Sequence, residues 1–498
     1  MRRAAASIVV AVALAACAGV PAATSPAVTP PPSPAATPTL TPTSTTAPTP
    51  SPSVAGGWPV TVARMPDGAV TVGADGTTYA WDDGSDGRSE LVALDAGGRP
   101  KPGWSFVLPA GMTGEEVVVA PDGSVLVAVR GDGVPGYELH RLDPAGFEQP
   151  GWPYLDPLAV SCRPPVVDES ATYLACQPDE RSPLRLVALD RRGEMVPGWP
   201  VTLKETTVGG PWWIEDLLLG TDGTAYLLAG SNSAPGAFLW GVAPDGRVAA
   251  GWPRALPDGR SVALVAPGGR VLVASYVPPM KRNEGLCGEA DHTVLIELDG
   301  EGGTVPGWPQ SAPGWADAAV AADGAVYYLT RDRLFSRMAG GATRRGWPVA
   351  VPDVYPECSR YGPYLAPDGT AYVLADGLRA FDANGQPKPG WPFGPETGIA
   401  PPVCATDVPP ATQPAIAPDG TVFVAVRSAA VGGPDDRIDL VALDSRGRML
   451  PGWPYRLPAE PVAGIALHVA AGRLHASLAG CDGTTTILAL DRDGTLAP

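Results

Sequence analysis

The sequence is poor in the residues that usually announce chemistry. It contains only four histidines, His140, His292, His468 and His475, and two of them, His140 and His475, fall in strand patterns that suggest structural places. No G-x-S-x-G elbow and no H-E-x-x-H pair occurs, which removes the linear signatures of an elbow nucleophile and of a helical zinc site. No C-x-x-C occurs either, so common zinc and thiol-redox spacings are absent. The stretch DDGSDGRSE (82–90) resembles the start of a calcium loop but lacks the acidic residue at the twelfth position. Basic residues are also few. With 35 Lys and Arg against 52 Asp and Glu, the net charge of −17 argues against nucleic acid or an anionic membrane surface as partner.

Long hydrophobic runs are missing as well. The longest, from about Ile8 to Ala16, follows two arginines and is well short of the roughly 20 residues a membrane-spanning helix needs. It reads as the apolar region of a signal peptide, residues 1–16. Leu14-Ala15-Ala16-Cys17 resembles the lipobox of bacterial lipoproteins, which implies cleavage before Cys17 and its acylation. Lipid chains anchor a protein to a membrane without a spanning helix. The alternative is an ordinary secretory signal with an incidental cysteine. From Cys17 to residue 55 the chain is almost wholly Pro, Thr, Ser and Ala. Such a composition cannot offset its own ordering entropy, so the expectation is a disordered stalk with a reach on the order of 100 Å. An extracytoplasmic, membrane-anchored location follows as the expectation. Six further cysteines, Cys162, Cys176, Cys287, Cys358, Cys404 and Cys481, form an even set that suits disulfides in an exported chain. Cys162 and Cys176 fall inside one repeat unit and make the easiest pair; the other pairings stay open.

What the sequence has in abundance is repetition. LVALDAGGRPKPGWS (91–105), LVALDRRGEMVPGWP (186–200) and LVALDSRGRMLPGWP (440–454) are copies of one phrase. Gly-Trp pairs recur with tryptophans at 58, 104, 152, 199, 252, 308, 347, 391 and 453, spaced 39 to 62 residues apart. Between them stands a second phrase, as in APDGSVLVAV and APDGTVFVAV. Asp-Gly between two apolar runs is a hairpin signal, because its turn needs positive φ. Each unit therefore reads as four short strands: strand a ends at Asp-Gly, strand b is β-branched and aromatic, strand c is LVALD, and strand d contains PGWP. Proline cannot donate to a ladder, which places PGWP at the outer edge, with the tryptophan over the junction with a neighbouring sheet. Four-stranded units of this length, repeated radially, describe an all-β fold, a single β-propeller over 56–498. The repeat begins with a strand d (GGWPVTV) and finishes with a strand c (ILALDRDG), so the N-terminal segment supplies the outer strand of the last blade. This counting gives nine blades, with eight as the alternative if one weak unit is absorbed.

The phrase ALDxxGxxxPGW resembles the tryptophan-docking repeat of quinoprotein-type bacterial propellers. The matching positions include Ala93, Asp95, Gly98 and Trp104; Ala188, Asp190, Gly193 and Trp199; and Ala442, Asp444, Gly447 and Trp453. The repeat here lacks the family's threonine, and a Pro-Gly insertion places the tryptophan six residues after the glycine. The vicinal cysteine pair of the family's alcohol dehydrogenases is absent. The family includes both dehydrogenases and lipid-anchored assembly scaffolds, so the resemblance implies blade architecture rather than one activity.

The a–b and c–d turns are short and nearly constant and share one face. The b–c and d–a connections share the other and carry the length variation, as in 204–213, 277–292, 353–362, 394–413 and 427–437. Loops on a rigid scaffold are where binding usually resides. At the start of the innermost strands on that face stand Glu115, Glu116, Arg163, Glu215, Asp216, Asp317, Tyr361 and Gln413. This mainly acidic ring suits a cation, a cationic ligand or a hydroxyl-rich one, although any water-filled channel mouth is lined by polar groups. Trp212, Trp213 and Trp315 lie on the same face near Tyr355 and Tyr361 and suit sugar stacking or a protein contact. They would equally pack between loops and blades. Trp81 and Trp240 read as core. The function these features favour is a binding or scaffold module for envelope protein or glycan, acting as a monomeric ring. The alternative is a propeller enzyme, such as a lyase, glycosidase or quinone-dependent oxidoreductase, with its polar groups in the funnel. The sequence assigns no catalytic residue, no metal ligand and no cofactor.

Overall fold

The computed structural model describes residues 57–498 apart from 64–69, 85–87, 110, 132–135, 158, 160, 178–181, 204–211, 232–236, 258, 278–291, 353, 355–361, 395–412, 428–436 and 458–461. Cys17, Tyr355, Tyr361, Cys287, Cys358 and Cys404 lie outside the described residues. The described residues belong to one compact unit, Ala47–Pro498. Among them there is no helix, and 36 strands form nine antiparallel sheets.

The sheets are the blades of a nine-bladed β-propeller. In chain order their innermost strands are Thr71–Val72, Met112–Val119, Ser161–Cys162 with Val166–Val167, Trp212–Leu219, Arg260–Ala266, Asp317–Val320, Tyr364–Leu365, Ala415–Ile416 and Val462–Ala470. Blade 4 shows the standard order: strand a, then Ala225–Ser231, Ala237–Val242 and Arg254–Ala255. Two blades depart from it. Blade 3 has a strand a broken in two, with both pieces paired to Thr172–Gln177. Blade 7 keeps three strands, and its fourth is reduced to a single bridge between Leu378 and Phe393.

The ring closes as the repeat phasing requires. Val60–Ala63 pairs antiparallel with Thr484–Leu490, Val60 opposite Ile487 and Ala63 opposite Thr484, so the first described strand completes blade 9. Trp58, Val60 and Val62 pack in one apolar cluster with Val92 and Leu94 of blade 1 and Ile487 and Ala489 of blade 9.

No central core supports this many residues, and the reason is visible in strands b and c. Successive side chains of a strand point to opposite sheet faces. In blade 2, Val125, Val127 and Val129 pack towards blade 1, while Leu126 and Ala128 pack towards blade 3. Strand c behaves alike, with Leu91, Val92, Ala93 and Leu94 all buried. Nine apolar clusters result, one in each joint between successive blades. The core is thus distributed around the ring, and no single core has to exceed the size limit of an ordinary domain.

One expectation needs correction. The Gly-Trp-Pro phrase is the corner before strand d, not part of the strand. Strand d starts after the proline, as in Tyr154–Asp156 after Trp152-Pro153 and Val201–Leu203 after Trp199-Pro200. Proline has no N–H to give a ladder, and the glycine before the tryptophan is in the left-handed region, with φ of 92° at Gly198, so neither suits an extended pair.

Candidate functional site

The two ends of the ring differ in what their residues are occupied with. At one end the repeated phrase joins blade to blade. In six of the nine c–d turns the aspartate accepts backbone N–H groups two and four residues on, as Asp190 Oδ1 does from Arg192 (2.8 Å) and Glu194 (2.9 Å). The indole of the preceding blade then donates to the carbonyl of the residue just after the aspartate position, a position that holds Ala243 in blade 4. Trp152 reaches Arg191 at 3.1 Å, Trp199 reaches Pro244 at 3.0 Å, and Trp453 reaches Arg492 at 2.9 Å. Two of these rings also meet an aromatic of their own strand b, Tyr173 beside Trp199 and Phe423 beside Trp453. Glycines complete the joint: Gly193 has φ of 73°, and a Cβ there would lie 2.6 Å from the Gly151 carbonyl oxygen. Ion pairs between the turns confirm that a–b and c–d turns share this end, as in Arg344–Asp323 within blade 6 and Arg492–Asp419 between blades 9 and 8.

Two joints are wired differently. Trp104 is followed by Ser105 instead of proline, and its indole donates to Leu91 of its own blade at 3.0 Å. In blade 6 the aspartate position holds Met338. There Ala339 accepts Arg270 Nη1 at 3.2 Å, and the same nitrogen sits 2.6 Å from the fully buried Glu297. The Trp308 indole reaches no turn carbonyl and faces the Glu297 carboxyl instead. Burial pushes the Glu297 carboxyl up, partly offset by Arg270.

The opposite end carries the starts of the innermost strands. Glu115 and Glu116 lie in a bulge of blade 2, where the register slips between Gly114 and Val117. Glu115 is half-buried, pairs with Arg130 at 3.0 Å, and has its carboxyl raised by burial. Tyr137, not anticipated from the sequence, is buried beside them with its hydroxyl unbonded; burial and then the two glutamates push its ionisation upward. Blade 4 has the corresponding bulge between Ile214 and Asp216, which throws Glu215 out of register. Such bulges re-aim side chains at the rims of closed sheets.

Blades 3, 4 and 5 bring several of these residues together. Arg163 of blade 3 crosses to blade 4 and donates Nε and Nη2 to the Ile214 carbonyl, at 2.9 and 2.5 Å. The Trp213 indole donates to Glu215 Oε1 at 3.3 Å, and Oε2 is buried without a hydrogen bond. The Leu217 N–H donates to Asp216 at 2.9 Å. Burial raises both carboxyls. The Trp213 indole, Arg260 and Arg163 pull Glu215 back down, and the Leu217 N–H and Arg163 do so for Asp216. Arg260 begins strand a of blade 5 and was missed because the degenerate turn APGGR (266–270) hides the alignment that found the others. Charges therefore alternate over three blades: Arg163, then Glu215 and Asp216, then Arg260.

The remaining described residues of the sequence-derived ring stand on other blades. Asp317 begins strand a of blade 6, and Gln413 is exposed before blade 8. Tyr361 lies outside the described residues, as does the side chain of Trp212. Trp315 stacks on Tyr276 with ring centroids 3.7 Å apart and planes 7° from parallel, inside the blade 5–6 cluster, so one of its faces is filled by packing. Trp81 and Trp240 are core. His140 is held by Glu148 at 3.0 Å, and His475 is buried beside Thr78 at 3.2 Å. Cys162 and Cys176 form a disulfide between directly opposed residues, and Cys481 is also disulfide-bonded. No group of three potential metal-binding side chains occurs among the described residues.

No family model matches the chain, and no curated protein matches it in sequence. Among solved structures, it overlaps a eukaryotic initiation factor at 10% identity and a TM-score of 0.46, over 82% of this chain and 92% of that one. The Dos1 propeller overlaps at 7% identity and 0.40, over 82% and 80% of the two chains. Puromycin hydrolase overlaps at 16% identity and 0.41, covering 76% of this chain and 52% of that one. The propeller assignment stands on the sheet order and the closure of the ring, not on these distant overlaps.

Proposed function

We propose that the protein is a lipid-anchored, extracytoplasmic propeller of the quinoprotein-repeat type that binds an envelope protein or glycan at the end of the ring away from the tryptophan joints. The observation that supports this reading is the arc over blades 3 to 5. There, half-buried carboxyls at Glu215 and Asp216 stand between Arg163 and Arg260 at the mouth of a rigid scaffold. Such an arc offers acceptors to hydroxyl or amide hydrogens and donors to a carboxylate, with little side-chain entropy left to lose on binding. The Cys17 lipobox and the Pro-rich segment to residue 55 supply the anchor and the stalk.

The test is capture from envelope extracts by the chain lacking residues 1–55, with a glycan panel alongside. Glu215→Gln with Asp216→Asn lowers the affinity of the captured partner at least ten-fold on this reading; undiminished capture rejects the arc. Separately, Cys17→Ser moves the full chain out of the membrane fraction, and retention there rejects the anchor. A second reading, an enzyme, draws on the raised carboxyls of Glu115, Glu215 and Asp216, which suit proton transfer. Any turnover that Glu116→Ala, Asp216→Ala and Asp317→Ala together abolish would establish it.

A further inference from the structure

Strand a of blade 3 is broken where its neighbour needs support. Cys162 pairs with Cys176, the Arg163 N–H still bonds the Ala175 carbonyl at 3.0 Å, and then Pro164 and Pro165 interrupt the ladder until Val166. Two prolines in sequence cannot donate, so the short piece Ser161–Cys162 has only two ladder residues to hold it. The disulfide ties that piece covalently to the fully buried strand b. Arg163, the next residue, spends two guanidinium donors on one carbonyl of the next blade. That carbonyl belongs to Ile214, the last residue in register before the bulge. Innermost strands are edges, and carbonyls on an edge have no strand to accept from.

We propose that the Cys162–Cys176 disulfide and Arg163 form a single clamp between blades 3 and 4, with Arg163 as the positioning residue that holds the blade 4 bulge and so presents Glu215 and Asp216 at the mouth. The disulfide fixes where the Arg163 backbone stands, and the forked guanidinium transmits that position across the joint. A lysine at 163 keeps the charge but loses the fork. The clamp is a property of the unliganded ring, so its test needs no ligand and is independent of the binding reading.

The experiment is amide hydrogen exchange over residues 212–219, combined with a pH titration of the Trp213 resonance in 5-fluorotryptophan protein, assigned by its loss in Trp213→Phe. Trp213 reports Glu215 because its indole donates to that carboxylate. In Arg163→Ala, exchange at 213–216 rises at least ten-fold and the Trp213 titration midpoint moves upward. In Arg163→Lys, the midpoint stays near that of the unaltered protein while exchange remains fast, which separates the fork from the charge. Cys162→Ser with Cys176→Ser repeats the exchange result of Arg163→Ala. Should that double variant fail to fold, the folded protein is treated with dithiothreitol, which passes two electrons and two protons to the cystine sulfurs. Exchange within two-fold of the unaltered protein in Arg163→Ala overturns the proposal. So does disulfide loss that loosens only blade 3 and leaves 212–219 protected.

Discussion

The tryptophan end and the mouth of the ring spend their polar groups differently. At the tryptophan end the repeated phrase supplies both donors and acceptors across the joints: indole to carbonyl, backbone N–H to aspartate, turn arginine to turn aspartate. The blade 5–6 joint is an exception, where the Trp308 indole and Glu297 Oε2 are buried without a hydrogen bond. At the mouth, Glu215 Oε2 and the Tyr137 hydroxyl are buried without a hydrogen bond, and carboxyls are raised by burial. Buried polar groups left unbonded cost stability, about 1–3 kcal/mol each, and are tolerated where something other than stability is served. The repeated phrase is therefore joinery, and the unrepeated residues are where a task has room.

The comparison can be broken first at a joint. Trp199→Ala removes a buried ring, its contact with Tyr173 and its bond to Pro244, and lowers stability by about 3–5 kcal/mol in denaturant unfolding. A loss below about 1 kcal/mol would show that the joints are not what holds the ring. The blade 5–6 joint offers a variant of the same test. Arg270→Met leaves the Glu297 carboxyl buried without its cation and costs about 3 kcal/mol at pH 7, less as acid protonates Glu297.

The closing joint adds a pH dependence. His475 is buried with Thr78 on one side and, across the strand pair, His468; Arg473 on its own strand is held by Asp491. Burial, then Arg473 and His468, lower its pKa from 6.5 to about 4. The folded state thus refuses a proton that the unfolded chain accepts, so the stability present above pH 6.5 is lost as pH falls towards 4, by about 3 kcal/mol. His475→Asn flattens that part of the pH–stability curve, and an unchanged slope would refute the assignment. At the mouth the effect is smallest and of opposite sign. Glu215→Gln changes stability by no more than about 0.5 kcal/mol and in the stabilising direction at pH 7, because an acid raised by burial loses folded-state stability as pH rises through its titration. A large destabilisation there would place the mouth among the structural joints.

Most of the fold was legible because a repeat states its rule many times. Asp-Gly turns marked strands a and b, LVALD marked a strand covered on both faces, and the phase difference between the two ends of the repeat located the closing pair of Val60 with Ile487. The pairing of Cys162 with Cys176 was legible from their place in one unit. The role of Gly-Trp-Pro was misread as strand because proline and glycine mark both edges and corners, and only the backbone tells them apart. At the mouth, alignment on the turns found Arg163, Glu215 and Asp216 as separate positions. It missed Arg260 behind a degenerate turn and Tyr137 on strand c, whose neighbours come from a different strand.

By itself the amino-acid order determined strand order and closure and favoured nine blades over eight, since each depends on patterns repeated within a few tens of residues; the nine sheets themselves fixed the number. It also determined which end would be uniform. Only the tertiary structure decided that Arg163 serves the backbone of the next blade, that Trp315 is spent on Tyr276, and that Glu215 stands half-buried between two arginines. Those facts depend on residues 39 to 51 positions apart meeting across a joint, and no local pattern encodes which of many exposed polar groups will meet.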